Sequence, residues 1–216
     1  MKPRSLQPPK LPKSLRAETV KRLDDQAEYS VVEWSGGDFT GQSAASVIFD
    51  QAHLRRVILN RTKLPKARLV DVQVEASDLS GADWEKSHWR RVELIGCRLL
   101  GSQMLEAHYE DVLFRDCNLE GAVFASAIFK LARFEKCVLR GASFESADLT
   151  GVVFLGCDLA NAELLGSQLV GADFRGSLIN GLRAGAKELK GAIIDPSQAE
   201  QVVGLLGITV KEPDAP

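Results

Sequence analysis

The chain has 216 residues, 45% of them hydrophobic, and a formal net charge of -2. That is enough apolar material for one sizeable core, and the charge balance predicts no generic attraction to nucleic acid or to an acidic membrane surface. No apolar run approaches the ~20 residues of a membrane span, and the first residues lack the apolar segment of a secretory signal, so the expected compartment is the cytoplasm.

Residues 1–13 carry Pro3, Pro8, Pro9 and Pro12 among basic side chains and read as a flexible, extended tail that orders on binding. In residues 14–36, Leu15, Val20, Leu23 and Ala27 stand near helical spacing. This predicts a short helical cap over the first edge of the segment beyond residue 36.

From Phe39 to Ile179 every fifth residue is apolar or aromatic. Two residues before each of these centres the side chain is small, with Gln42 the one exception, and Gly recurs two residues after them, as at Gly101, Gly121 and Gly141. A period of five suits neither an α-helix nor a plain strand. It suits a coil with square corners, in which each side points one large and one small side chain inward and Gly eases the turn.

The stretches GADFRG (Gly171 to Gly176) and SADLTG (Ser146 to Gly151) resemble the pentapeptide-repeat family, whose consensus is Ala-(Asp or Asn)-Leu-x-x. The resemblance runs unbroken from Gly37 to Gly181. It implies an all-β solenoid, a right-handed quadrilateral β-helix over residues 37–191 with about eight coils of 20 residues, helically capped at both ends. The family shares no enzyme activity, so no catalytic residue and no cofactor are expected.

The resemblance makes sense of all four cysteines. Cys97, Cys117, Cys137 and Cys157 lie 20 residues apart, each at the small inward position of one side, and would stack at the ~4.8 Å strand spacing. Buried reduced thiols are preferred over a redox role, and over metal binding, because a sealed apolar column gives an ion no path. Phe114, Phe134, Phe154 and Phe174 form a second ladder. Trp84, Trp89 and Tyr109 belong to the same interior series. His53, His88 and His108 fall at outward positions and read as ordinary surface histidines, in preference to a metal site at His88 and His108.

Opposite charges recur one coil apart, as in Asp71/Arg91, Arg55/Glu75, Arg90/Glu110, Lys86/Glu106 and Arg115/Glu135, so much of the surface charge is expected to be answered within the protein. Leu105, Leu113, Val123, Ile128, Val153, Leu155 and Leu165 are apolar at outward positions, and Val153, Leu155 and Leu165 form the candidate partner patch.

Residues 192–216 are expected to form a C-terminal helical cap, opened by a capping box of Asp195 and Gln198 around Pro196, and a dimerisation segment. The run GAIIDPSQAEQVVGLLGITV (Gly191 to Val210) is similar to the ending of the quinolone-resistance members of the family. That similarity implies a homodimer centred on Leu205, Leu206 and Ile208, and a type II topoisomerase, DNA gyrase or topoisomerase IV, as the named protein partner. Those members are regarded as mimics of duplex DNA. Eight coils at ~4.8 Å would need on the order of twenty negative charges for that, at one per ~1.7 Å of axis, whereas residues 37–196 sum to about -2. Whole-rod mimicry is therefore disfavoured, leaving a local patch on a non-enzymatic binding module. A scaffold or regulatory adaptor unrelated to topoisomerases is the alternative.

Overall fold

The computed structural model describes residues 5–211; segments 1–4 and 212–216, at the ends of the expected tail and C-terminal segment, lie outside the described residues. Among the described residues nine strands follow in chain order: β1 (Arg16–Ala17), β2 (Glu28–Ser30), β3 (Val32–Ser35), β4 (Ile48–Arg55), β5 (Arg68–Glu75), β6 (His88–Ile95), β7 (His108–Arg115), β8 (Ile128–Glu135) and β9 (Val153–Leu155). Every pairing between them is parallel, and from β4 to β9 the register advances by one 20-residue coil, as in Phe49 to Leu69, Trp89 to Tyr109 and Phe134 to Phe154. The result is a β-solenoid of about seven full coils.

Each eight-residue strand covers two sides of the coil and turns a corner at its centre. The corner residues Gln51, Asp71, Arg91, Asp111 and Leu131 all have φ between 52° and 59°, in the left-handed region. A non-glycine residue there costs on the order of 1 kcal/mol. Backbone hydrogen bonds between coils offset it, as at a further corner residue, Asp116 (φ 53°), whose N–H donates to the Glu135 carbonyl at 2.9 Å. The other two sides pair through single bridges, among them Asp78 with Arg98 and Gln103 with Val123.

The interior is the five-residue pattern made solid. Phe114, Phe134, Phe154 and Phe174 stack with ring centroids 4.8 to 5.1 Å apart and interplanar angles of 3° to 9°. The four cysteines are buried and free. Their Sγ–H groups point at main-chain carbonyls, Cys117 at Arg115 (3.3 Å) and Leu94 (3.5 Å), Cys137 at Phe114 and Glu135 (3.4 Å each). The thiols of Cys97 and Cys117 are pushed up, the latter to about 12, by the next thiol along the ladder and then by burial.

The N-terminal cap is not a helix. Among the described residues 14–36 contain only the short strands β1, β2 and β3. Leu23, 2% exposed, plugs the first coil, and its backbone N–H reaches the Gln42 side chain at 2.9 Å, while Asp25 accepts the N–H of Ala45 at 2.7 Å. The physical reason is the open edge of a parallel coil, whose unpaired N–H and C=O groups need partners with free backbone groups of their own; the interior of a helix has none. Gln42, the one large side chain at a small position, is the brace that holds this plug.

At the other end Asp195 accepts from Ser197 N–H, the Gln198 side chain accepts from Asp195 N–H, and a single 3-10 turn leads into helix α1 (Ala199–Leu205). Gln198 is buried, and its Nε2 donates to the carbonyls of Phe174 and Ser177 at 2.7 Å each, closing the last coil.

Candidate binding surfaces

The outer surface divides into three regions. The first lies along the corner column Gln51, Asp71, Arg91 and Asp111. Residues 7–10 of the proline-containing tail cross it as a strap: the Gln7 N–H donates to Asp111 Oδ1 (3.1 Å), the Lys10 N–H donates to Asp71 Oδ1 (2.9 Å), and the Lys10 carbonyl accepts from Gln51 Nε2 (3.4 Å). Outward residues of this region are buried in consequence, with Val70, Asp71, Asp111 and Leu113 all below 9% exposure. Leu113, expected to face solvent, is therefore covered. Burial works against ionisation of Asp71, but Arg91 and the Lys10 N–H outweigh it and hold the carboxyl below the usual carboxylate range. An extended proline-containing segment suits this role, because its missing N–H groups leave fewer donors to satisfy on a surface that offers only scattered acceptors.

The second region is the outer face of the first halves of β5 to β8. Arg68, His88 and His108 follow one another in register there, and His88 and His108 stack with centroids 4.7 Å apart and planes 3° from parallel. Among the described residues no group of three or more His, Cys, Asp or Glu side chains is placed to hold a metal. His53 is separate, half-covered between Glu33 (3.9 Å) and Glu75 (3.5 Å). Trp84, Trp89 and Tyr109 lie inside the coil, with no hydrogen-bond partner among the described residues for Trp84 Nε1, Trp89 Nε1 or Tyr109 Oη.

The third region is the C-terminal end. Val170, Leu178, Ile193, Leu206, Ile208 and Val210 are each 41% exposed or more. Leu205, by contrast, packs against the core with Val202, so the rod itself covers one of the three residues expected at a dimer centre. Leu155 and Leu165 are both 45% exposed. They are ten residues apart in a 20-residue coil, however, which puts them on opposite sides of the square. Val153 and Leu155 do share a side; Leu165 does not join them.

Of the expected one-coil ion pairs, Asp71–Arg91, Arg55–Glu75, Lys86–Glu106 and Arg115–Glu135 form. Arg140 instead reaches Asp158 at 2.6 Å. Arg90 and Glu110 stand in register without closing to an ion pair.

Residues 107–183 match the family model described as a pentapeptide repeat region. Among solved structures the chain is similar to a trypsin-treated variant of QnrB1, a plasmid-mediated fluoroquinolone resistance protein, at 20% identity over 92% of this chain and 97% of that one, with a TM-score of 0.50. It is also similar to HetL, a pentapeptide repeat protein involved in heterocyst differentiation regulation from the cyanobacterium Nostoc sp. strain PCC 7120, at 22% identity over 81% and 92% of the two chains and a TM-score of 0.41. No curated protein matches the sequence. The likeness to QnrB1 is one of fold.

Proposed function

We propose, from the premise that this chain is a pentapeptide-repeat protein, that it works as a rigid protein-binding module whose C-terminal end engages its partner or a second copy of itself. The carrying observation is the exposure of Leu178, Ile193, Leu206 and Ile208 around the last coil and α1, where exposed large apolar side chains are more numerous than along the rest of the rod. Exposed apolar residues gathered at one end of a solenoid are what a docking surface requires, and the rigid coil adds little ordering cost on binding.

A type II topoisomerase is the first partner to test. Support comes from the similarity of Gly191 to Val210 to the endings of quinolone-resistance members, together with a fold shared with a protein of that kind. A scaffold or adaptor role is the second reading, favoured by the charge: a net -2 spread over paired acids and bases does not resemble duplex DNA. A supercoiling assay with purified gyrase, run with and without a fluoroquinolone, separates the two. Protection of supercoiling, or a change in drug-induced cleavage, supports the first. No change at large molar excess removes it and leaves the adaptor.

A further inference from the structure

Parallel in-register stacking puts like residues over like, and most of this surface avoids setting like charges on neighbouring strands by alternating them. On the outer face of the first halves of β5 to β7 one column does the opposite. Arg68, His88 and His108 occupy consecutive positions of one column, at steps of ~4.8 Å. The next column alternates, Arg90 and Lys130 lying on either side of Glu110, so the like-on-like stacking is confined to the first. Like charges on neighbouring strands are destabilising.

The same residues line one concave feature. Lys66, Arg68, Arg90 and Lys130 surround a half-open cleft of about 450 Å³ with the stacked imidazoles of His88 and His108 in its wall, and Val70 and Ile128 give it an apolar component. Glu110 is the one acidic side chain in the lining. Outside the cleft Arg91, Arg115, Arg140 and Arg175 are each answered by a carboxylate. None of the four cations of the cleft has an ion-pair partner among the described residues, and neither Lys66 nor Lys130 donates a side-chain hydrogen bond there. A concave cluster of four cations that close no ion pair and face a single carboxylate has room for a counter-charge that a ligand would supply.

We propose that this cleft is a binding site for a small multivalent oxyanion, with phosphate groups the best match. Four fixed cations against one carboxylate leave an excess that a monovalent anion would not balance. The guanidinium forks of Arg68 and Arg90 suit phosphate oxygens in a bidentate way. The size of the cleft fits a compact molecule rather than a long polymer, and the low net charge of the whole chain gives a duplex no extended basic track.

The site carries a proton linkage. Burial, the neighbouring His88 and Lys130 hold the His108 imidazole below its usual value, against a backbone hydrogen bond at Glu106 that works the other way. The charged groups facing the pair are Lys66, Arg68, Arg90, Glu110 and Lys130 in the cleft, with Lys86 and Glu106 along the adjoining edge. An anion in the cleft favours the imidazolium form of His108, so binding takes up a proton and tightens as the pH falls toward that lowered value.

Isothermal titration of the full chain with sodium tripolyphosphate at low ionic strength tests this. One site per chain is expected. Affinity should rise from pH 8 to pH 6, with a slope of no more than about tenfold per pH unit for one linked proton. The double variant Arg68→Gln, Arg90→Gln should weaken binding at least about tenfold, while Arg140→Gln, a cation outside the cleft, should stay within about twofold. His108→Gln should flatten the pH dependence. All four residues are exposed, so circular dichroism should show the coil unchanged. No heat at millimolar tripolyphosphate, or affinity indifferent to the double variant, overturns the site. A short DNA duplex that binds more tightly than tripolyphosphate would overturn it in favour of a nucleic-acid surface.

Discussion

Asp71 and Arg91, one coil apart at corner positions, form a two-pronged ion pair in which Arg91 Nη2 lies 2.6 Å from Asp71 Oδ2, and the same carboxylate takes the backbone N–H of Lys10 from the strap. Two segments more than sixty residues apart are thus tied to one side chain. The carboxyl is held below its unfolded value, so its contribution is fully present above ~4 and is lost as the pH falls further, through the folded value. Urea midpoints should therefore be flat from neutral pH to about 5 and drop below about 4. Asp71→Ala should cost about 2 to 4 kcal/mol, because it leaves a mostly buried guanidinium without its partner, and should blunt the acid loss. Amide hydrogen exchange at Lys10 reads the strap directly. Unchanged protection in the variant would show that the strap is held by other contacts.

Tyr109 sits in a column between Trp89 and Phe129, stacked on Phe129 at 4.6 Å, with its hydroxyl buried and without a partner among the described residues. Burial raises its pKa well above the ordinary phenol value. Phe already fills the next place in the column. Tyr109→Phe removes only the unsatisfied oxygen, so the variant should be more stable by about 1 kcal/mol. A loss of that size in thermal or urea unfolding would mean that the hydroxyl is bonded after all.

The ladders were legible in the sequence because a side chain that must point inward at every fifth residue leaves a periodic trace whatever its identity. Phe114 to Phe174 and Cys97 to Cys157 are of this kind. The strap left no such trace: it is held by backbone N–H groups of Gln7 and Lys10, which look the same in any sequence, and by Asp71 and Asp111, whose pattern points to partners one coil away and not to the tail. The helical spacing of Leu15, Val20, Leu23 and Ala27 misled because four apolar residues over thirteen fit several periods, and the demand of the coil edge for backbone partners overrode the weak helical signal. The cleft had a signal that charge pairing obscured. Stepping by twenty from Arg68 gives His88 and His108, a run of like character that pairing by opposite sign passes over.

The ends of the cysteine column are serines, and they show what a hydroxyl does there. Ser77 Oγ donates to the Glu75 carbonyl at 2.8 Å and accepts the Val57 N–H at 3.1 Å; Ser177 Oγ donates to the Phe154 carbonyl at 3.0 Å. A serine at Cys117 would find the Arg115 and Leu94 carbonyls in the same places. Cys117→Ser should therefore cost no more than about 1 to 2 kcal/mol, from lost sulfur packing rather than an orphaned hydroxyl. Native-state thiols should resist a bulky reagent. Rapid labelling of all four would contradict the buried ladder.

Gln198 terminates the last coil by giving both Nε2 hydrogens to carbonyls that the next coil would otherwise pair, those of Phe174 and Ser177. Its Oε1 meanwhile accepts the Asp195 N–H at 3.0 Å. Gln198→Ala leaves three buried or half-buried backbone groups unmet and should cost about 2 to 4 kcal/mol. Exchange at the 170s amides should accelerate before that of β5 to β8, since unfolding of a solenoid starts at a weakened end. Uniform acceleration along the rod would argue instead for one cooperative unit.

Leu206 and Ile208 follow α1 with 43% and 55% exposure, whereas Leu205 and Val202 turn toward the core. The helix thus has a covered side that caps the coil and an open side continuous with Val210, also 54% exposed. A homodimer through this open side would bury apolar surface that the cap cannot. Light scattering at micromolar concentration should give about twice the chain mass. Leu206→Asp should return it to one chain without loss of β circular dichroism, since the residue touches solvent rather than the coil. Leu205→Asp, by contrast, should lower stability first, because it drives a charge toward the end of the core. A monodisperse monomer for the unaltered protein would refute the dimer and leave the exposed end to a different partner.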